Sequence, residues 1–479
     1  MSIEKLAFKG ASWLGIFNFI SQIISWSTTI LIARILVPGD YGLMEMSTII
    51  TGYAALFSEL GLGASIIQRP KISQNDLSSI FWFSTIVSFL LAIGCFLVAT
   101  PTSYLFHEPR VIPLTRSVSL IFILTGLQII PISLLKKEIM FKTIGKIEMV
   151  TTFLACLAMY LIAISGGGVW TLMGGMIFRQ LVRVIMLYGS VKWLPSFHFN
   201  LYEVKSFIRF GIFVALSGTL FYFRGTADKL FAGRAWSATD LGYYTFALSL
   251  AAIPTDKIAT IINQVSFPIF AKLQDDEVRT KKYYLNTIKI TATIVFPIFI
   301  GGFLVGEDLV KVLLDNKWLN IITIFKYLCL AQIITSLNAI NNFVHIAQGR
   351  PHWDFFFNLG SSVFMPISFF IAVRYGLNAI LIPWFTTYLL ICTLWIVITL
   401  NKIGIDIIQY LSYLSKPFCA VLIMSIGIIL FQTLVKITDY NIGFLIMMIS
   451  KISVGSFFYL SFLWMCDKDM IMSIKQMIR

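Results

Sequence analysis

The chain has 479 residues, of which 58% are apolar, 15% aromatic and 13% charged, with a net charge of +14. So little charge among so much apolar side chain excludes an ordinary soluble domain. Apolar runs of about 20 residues recur from end to end, as in a polytopic helical membrane protein, and Lys and Arg gathered in loops on one membrane face explain the positive charge better than a nucleic-acid partner does.

In chain order, the first half is expected to cross near residues 11–35, 42–66, 78–100, 113–135, 147–165 and 168–191. The first run is longer than a signal-peptide core and carries Arg34 near its far end, so it is expected to remain in the mature protein. In the second run Glu45, Thr48, Gly52, Ala55 and Glu59 fall near one helical face. Two carboxylates on a stripe of small residues suit a cavity wall or a close helix contact. Glu45 and Glu59 are therefore candidates for a proton or sodium site, against the plainer reading of an ion pair with Arg34 or a Glu near the interface. Arg179 and Arg183 stand four apart in the sixth run, where they either reach for headgroups or touch substrate. Gly166, Gly167 and Gly168 read as a tight turn before it, not as a phosphate loop.

The second half is expected to cross near 208–232, 241–269, 284–305, 321–346, 355–375 and 377–400, with two further spans near 416–435 and 441–464. In the first of these, Arg224, Asp228 and Lys229 lie within an apolar run. A charge held at mid-bilayer costs on the order of 3 kcal/mol or more, so such residues face a protein interior or a water-filled cavity. Arg224 and Asp228 share a helix face and are expected to pair, while Lys229 points about 100° away toward a different neighbour. The next span places Asp256, Thr260, Asn263 and Phe267 on one face, with Pro254 as a kink. In the tenth, Thr335, Asn338, Asn342 and His345 form another polar stripe, flanked by Gln332 and Asn341. Three segments read as helices lying in the interface: Phe197 to Phe210, Asp406 to Ser415, and the tail from Met470. The six cysteines lie in or beside apolar helices without a CxxC spacing and read as small buried hydrophobes.

The halves echo one another at a spacing of about 200 residues: Lys9 answers Arg209, Arg34 answers Arg234, Asp40 answers Asp240 and Gly42 answers Gly242. Thr28 and Thr29 stand where the second copy has Asp228 and Lys229, so only the second copy carries charge in the middle of its leading helix. The fold expected is all-α, with about fourteen spans in two six-helix bundles related by an axis along the membrane normal, plus two extra helices. The divisions are 1–195, 196–405 and 406–479. With the N-terminus in the cytoplasm, about 21 Lys and Arg fall on the inner side and about 8 on the outer, which puts both ends inside.

Several stretches resemble the lipid-linked oligosaccharide flippases of bacterial polysaccharide export, the Wzx-like O-antigen and colanic-acid type. That family sits in the multidrug/oligosaccharidyl-lipid/polysaccharide exporter superfamily. The resemblance is carried by Ala33 to Gly42, Leu60 to Arg69, Phe197 to Asn200 leading to Phe210-Gly211, Asp228 to Leu230 with Gly233-Arg234, Asp240 to Tyr244, and Phe267 to Gln274. It implies a bacterial inner-membrane transporter that moves an undecaprenyl-diphosphate-linked sugar unit to the outer leaflet by alternating access, with the extra helices lining a groove for the lipid tail. It also implies that cavity cations hold the diphosphate, a role carried onto Arg34, Arg224, Lys229 and Arg234. Glu45, Glu59, Asp228, Asp256, Asn263, Asn338 and Asn342 are left as polar or ion-coupling candidates, with a proton or sodium as the coupling ion and a polysaccharide polymerase as a further partner. No cofactor or metal is expected. The alternatives are a cation-coupled drug exporter of the same superfamily and a membrane polymerase or ligase. The outer loops are too short for the latter, and no Ser/His/Asp set or paired carboxylates suit acid–base work.

Overall fold

The computed structural model describes residues 3–59, 62–69, 72–273, 276–349, 351–438 and 443–467. All regular structure among them is helical. The chain forms two compact units, Met1–Gly242 and Tyr243–Arg479.

The first unit holds α1 (Ile3–Ile35), α2 (Pro38–Glu59), α3 (Leu62–Gln68), α4 (Gln74–Phe106), α5 (Val111–Lys137), α6 (Phe141–Ile164), α7 (Trp170–Ser190) and α8 (Leu201–Ala235). It ends in the first turn of α9 (Ala238–Lys272). Here α4 and α5 pack along each other, α1 and α7 flank α6, and α2 lies between α5 and α8. Ser73 and Asp76 start α4 with a reciprocal cap: the Asp76 amide donates to Ser73 Oγ at 3.1 Å and the Ser73 amide to Asp76 Oδ2 at 3.0 Å. Gly166 and Gly168 turn the chain between α6 and α7 with φ of 81° and 52°, the left-handed region that glycine enters freely.

The second unit takes the rest of α9, then α10 (Glu277–Leu313), α11 (Ile321–Ala347), α12 (Pro351–Ala372), α13 (Ile382–Phe385), α14 (Thr387–Ile403), α15 (Ile407–Ile437) and α16 (Phe444–Cys466). Its core joins Tyr284, Leu285 and Ile288 of α10 to Ile340 and Val344 of α11 and Leu400 of α14.

Among the described residues eleven helices are long and apolar enough to cross a membrane. The other three expected crossings also fall on helices, α2, α8 and α9, and these carry Glu45, Asp228 and Asp256. Four expectations need correcting. The second run is not one helix, because α2 ends at Glu59 and α3 begins at Leu62. The twelfth begins as a short 3-10 stretch and α13, and α14 starts only after Thr386, whose φ and ψ of −113° and −82° interrupt the helix. Phe197 to Phe210 is not a separate interfacial helix: the chain is extended through Asn200 and then enters α8 directly. Pro195 stands in this extended stretch, and α4 side chains take its backbone groups: Gln74 Nε2 donates to the Leu194 carbonyl, Trp82 Nε1 to the Ser196 carbonyl, and the Asn200 amide donates to Ser79 Oγ. Asp406 to Ser415 is likewise not separate but opens α15, which runs on through Pro417. The tail from Met470 lies outside the described residues. All six cysteines are free thiols; Cys95, Cys329 and Cys392 are buried, Cys156 is half-buried, and Cys419 and Cys466, contrary to expectation, are exposed.

Candidate functional site

The site begins at two corners that the internal repeat equates. At the start of α2 the Val37 amide donates to Asp40 Oδ2 at 3.1 Å. At the start of α9 the Asp240 amide donates to Ser237 Oγ at 3.2 Å, and that hydroxyl donates to Asp240 Oδ2 at 2.7 Å. Both aspartates therefore close an N-terminal turn, where a negative charge is favoured. One turn on, Gly42 and Gly242 meet. A Cβ on Gly42 would stand 1.7 Å from the Ala238 carbonyl oxygen, and a Cβ on Gly242 would stand 1.8 Å from that of Pro38. Only glycine lets the two backbones approach this closely. The contact is reciprocal, as contacts between symmetry-related residues are.

From this corner α2 runs along α8. Lys229 Nζ lies 2.8 Å from Glu45 Oε1, with the two side chains 20% and 25% exposed. A turn further along α2, the Tyr222 hydroxyl donates to the Ile49 carbonyl at 3.2 Å. Its ring meets that of Tyr53 edge-on at 4.7 Å, and the hydroxyls of Tyr53 and Thr226 are 3.3 Å apart. Gly52 makes room for this, since a Cβ there would be 1.8 Å from the Tyr222 hydroxyl. The small-residue stripe of α2 is thus a close helix contact, and its carboxylate is an ion pair within a tyrosine-lined seam. Glu45 pairs with Lys229, the different neighbour expected for that lysine.

Three other expected residues, Arg224, Asp228 and Arg234, lie on α8 and Arg34 lies on α1. Asp228 is buried beside Lys229. Arg224 lies one turn back, its guanidinium 5.1 Å from the Phe221 ring centre. Arg34 and Arg234 occupy the last turns of α1 and α8 and are exposed, where a cation complements the helix dipole. In the first copy Thr29 donates to the Ser25 carbonyl of its own helix at 2.9 Å, so nothing there plays the part of Lys229. The side chains of Glu59 and Asn263 lie outside the described residues.

In the second unit Asp256 is exposed on α9. Asn338 is buried and accepts from Asn341 Nδ2 at 3.1 Å, while Asn341 accepts from the Tyr284 hydroxyl at 2.7 Å. Asn342 accepts from Trp395 Nε1 at 3.2 Å, and His345 Nε2 is 2.9 Å from Thr399 Oγ1. Asn341 thus ties α11 to α10, and Asn342 and His345 tie it to α14.

Two charged clusters were not expected. On α6 and α7, Glu148 receives Arg183 at 2.7 Å on Oε1 and Arg179 at 3.2 Å on Oε2. On α10 and α16, Lys451 Nζ lies 2.6 Å from Asp308 Oδ2, both nearly excluded from solvent. Two more bonds fasten α16 to α10: the Tyr459 hydroxyl donates to the Thr293 carbonyl at 2.7 Å, and Lys289 pairs with Asp467 at 2.5 Å. The sequence signal for each cluster is an unmatched charge inside an apolar run, with one of opposite sign inside another. Beside Lys451 a cavity of about 520 Å³ opens between α10, α15 and α16, walled mainly by Ile298, Gly301, Met424, Ile428 and Leu460.

A family model described as a polysaccharide biosynthesis protein matches residues 31–323. The lipopolysaccharide biosynthesis protein WzxC of Escherichia coli (strain K12) is 28% identical over 367 residues, which are 75% of this chain and 73% of that protein. The succinoglycan biosynthesis transport protein ExoT of Rhizobium meliloti (strain 1021) is 24% identical, over 62% of this chain and 60% of that one. Among solved structures, the lipid II flippase MurJ in an inward closed conformation superposes with a TM-score of 0.74 at 13% identity, covering 96% of this chain and 99% of that chain. At that identity the superposition establishes the fold.

Proposed function

Given that the chain belongs to the polysaccharide biosynthesis protein family, as a multi-pass membrane transporter and not an enzyme, we propose that it carries an undecaprenyl-diphosphate-linked oligosaccharide from the cytoplasmic to the outer leaflet by alternating access. The head group is charged and hydroxylated and cannot cross hydrocarbon unaided. The polyprenyl tail never has to leave lipid. What the protein must supply is a polar, cationic path for the head and an apolar seat for the tail.

The Glu45–Lys229 pair carries this reading. It is a desolvated cation held by a carboxylate in a seam of tyrosine and threonine hydroxyls, one turn from Arg224. An arriving diphosphate offers Lys229 a stronger partner than Glu45, and Arg224 offers the two-pronged donation that phosphate oxygens accept. Glu45, freed from Lys229, then takes up a proton or a sodium ion, which couples the exchange to an ion gradient. Arg34 and Arg234, exposed at the two repeat-related corners, meet the diphosphate as it leaves. The tail takes the cavity between α10, α15 and α16, whose walls are apolar apart from Lys451, Ser456 and Tyr459. Fourteen crossings, with both ends in the cytoplasm and two six-helix bundles at 1–195 and 196–405, complete the proposal, and a polymerase would draw on the flipped product.

The test is reconstitution into vesicles with a lipid-linked oligosaccharide confined to one leaflet. Protein-dependent appearance of the sugar on the other leaflet supports the proposal. Efflux of cationic drugs by the same vesicles without movement of the lipid-linked sugar would replace it with the drug-exporter reading.

A further inference from the structure

Arg179 is the tenth of the 21 residues of α7, Trp170–Ser190, so it stands roughly 15 Å from either helix end. That depth is beyond the reach of a side chain stretching for headgroups, and both arginines turn instead to Glu148 on α6. Yet Arg179 is 48% and Arg183 28% exposed. One carboxylate, Glu148 on α6, answers both, and the cluster keeps a net charge of +1. A charge left open at that depth has to face water or an anion.

How Glu148 is gripped says which anion. Its two oxygens are divided between the arginines, Oε1 to Arg183 and Oε2 to Arg179. The two guanidinium groups are therefore spaced to hold one planar carboxylate, and the protein displays such a group in place. Arg183 Nε is buried and has no hydrogen-bond partner among the described residues, so one donor of the clamp is spare.

We infer that Glu148, Arg179 and Arg183 form a carboxylate-selective station on α6 and α7 that recognises an acidic sugar in the transported glycan, with Glu148 as the internal carboxylate that the substrate's own displaces. This rests on the flippase reading above and names a feature of its cargo. The station is separate from the Lys229 seam, which lies on α2 and α8. Exchange of one carboxylate for another leaves the number of charged contacts unchanged, so the sugar is released as readily as it is taken.

The experiment measures binding to the full-length protein in lipid nanodiscs. The two probes are polyprenyl-diphosphate disaccharides that differ only in their terminal sugar, glucuronic acid in one and glucose in the other. The wild type is expected to prefer the acid by about tenfold, the scale of one charge-assisted contact. Arg179→Gln with Arg183→Gln should erase the preference while leaving the neutral probe's affinity unchanged. Glu148→Gln should strengthen binding of the acidic probe, because the internal competitor has gone. If the double variant does not fold, Arg183→Gln alone and Glu148→Gln decide the matter. Absence of any preference in the wild type overturns the inference. So does equal loss of both probes in the arginine variants, which would assign the arginines to the diphosphate, and so does weaker acid binding in Glu148→Gln, the mark of a merely structural triad. Flipping of the neutral probe by the wild type keeps the transport reading intact whichever way the preference falls, and failure to flip either probe counts against the transport reading itself.

Discussion

Lys229 and Glu45 meet at 2.8 Å across the seam between α8 and α2, each about a quarter or less exposed. Breaking a fully buried pair by removing one partner costs about 3–5 kcal/mol, and partial exposure lowers that figure. The pair therefore joins fold to function: it holds α2 against α8, and it offers a cation that an anionic head group can claim.

The first prediction uses its charge reciprocity. Lys229→Ala should lower transport of a lipid-linked sugar by about tenfold or more, taking one charge-assisted contact as roughly 1.4–3 kcal/mol, while the protein still inserts. Glu45→Lys combined with Lys229→Glu should restore the amount of folded protein but not transport, because the cation then sits on the wrong helix. Full transport by the swapped variant in vesicles would show that the pair is structural only.

Ion coupling is a separate matter with its own variant. If Glu45 takes up a proton or sodium ion when the substrate claims Lys229, Glu45→Gln should leave substrate binding intact and remove the dependence of flipping on the ion gradient. Flipping rates measured with and without an imposed gradient decide this. An unchanged dependence in Glu45→Gln would move the coupling to Asp228 or to a site elsewhere.

The corner of Gly42 and Gly242 predicts a steric effect without any electrostatics. Alanine at either position puts a methyl group less than 2 Å from a backbone carbonyl oxygen of the other corner. Overpacking of this kind costs about 1–3 kcal/mol or more, because backbone must move. Gly42→Ala and Gly242→Ala should each lower the thermal stability of the detergent-purified protein. Gly94→Ala, at a position with open space around its would-be Cβ, should not.

Much of this was legible in the sequence, for reasons that differ from place to place. The repeat-equivalent Gly42 and Gly242 were visible because glycine at a required close approach cannot drift to another residue type. Lys229 was visible as a charge inside an apolar run, and its offset from Asp228 pointed it at another helix. The identity of its partner was not legible: Glu45 is one of two carboxylates on α2, and only packing selects between partners far apart in sequence. The role of Lys451 is not legible in the sequence, because one lysine among many apolar residues does not reveal a partner as distant in sequence as Asp308, 2.6 Å away in space. The α11 stripe is legible in the sequence as polar residues at helical spacing. Its asparagines bond to Asn341 and Trp395, and spacing alone cannot distinguish a cavity wall from a hydrogen-bonded packing face.

Lys451 and Asp308 form an ion pair whose side chains are only 5% and 9% exposed. Lys451→Met leaves Asp308 without its partner inside the second unit and should destabilise the protein by about 3–5 kcal/mol. Lys451→Met with Asp308→Leu removes both charges together and should recover most of that loss. Unfolding midpoints of the two variants in the same detergent provide the comparison, and an equally unstable double variant would mean that the pair is not the source of the loss.

Gly301 tests the seat for the tail. Of the groove's wall residues it is one whose would-be Cβ meets nothing within 4 Å, so a side chain added there enters open space. Leucine at that position starts from a Cβ in open space and extends into a cavity of about 520 Å³. The helix should tolerate the change, because leucine has a higher helix propensity than glycine by roughly 0.5–1 kcal/mol, and stability should hold or rise. Transport should fall, and it should fall more for substrates with long polyprenyl tails than for those with short ones, since only the long tail competes with the new side chain for the groove. A loss that is the same at every tail length would place the tail elsewhere on the protein. A loss accompanied by lower thermal stability would instead trace the defect to packing of α10 against α15 and α16.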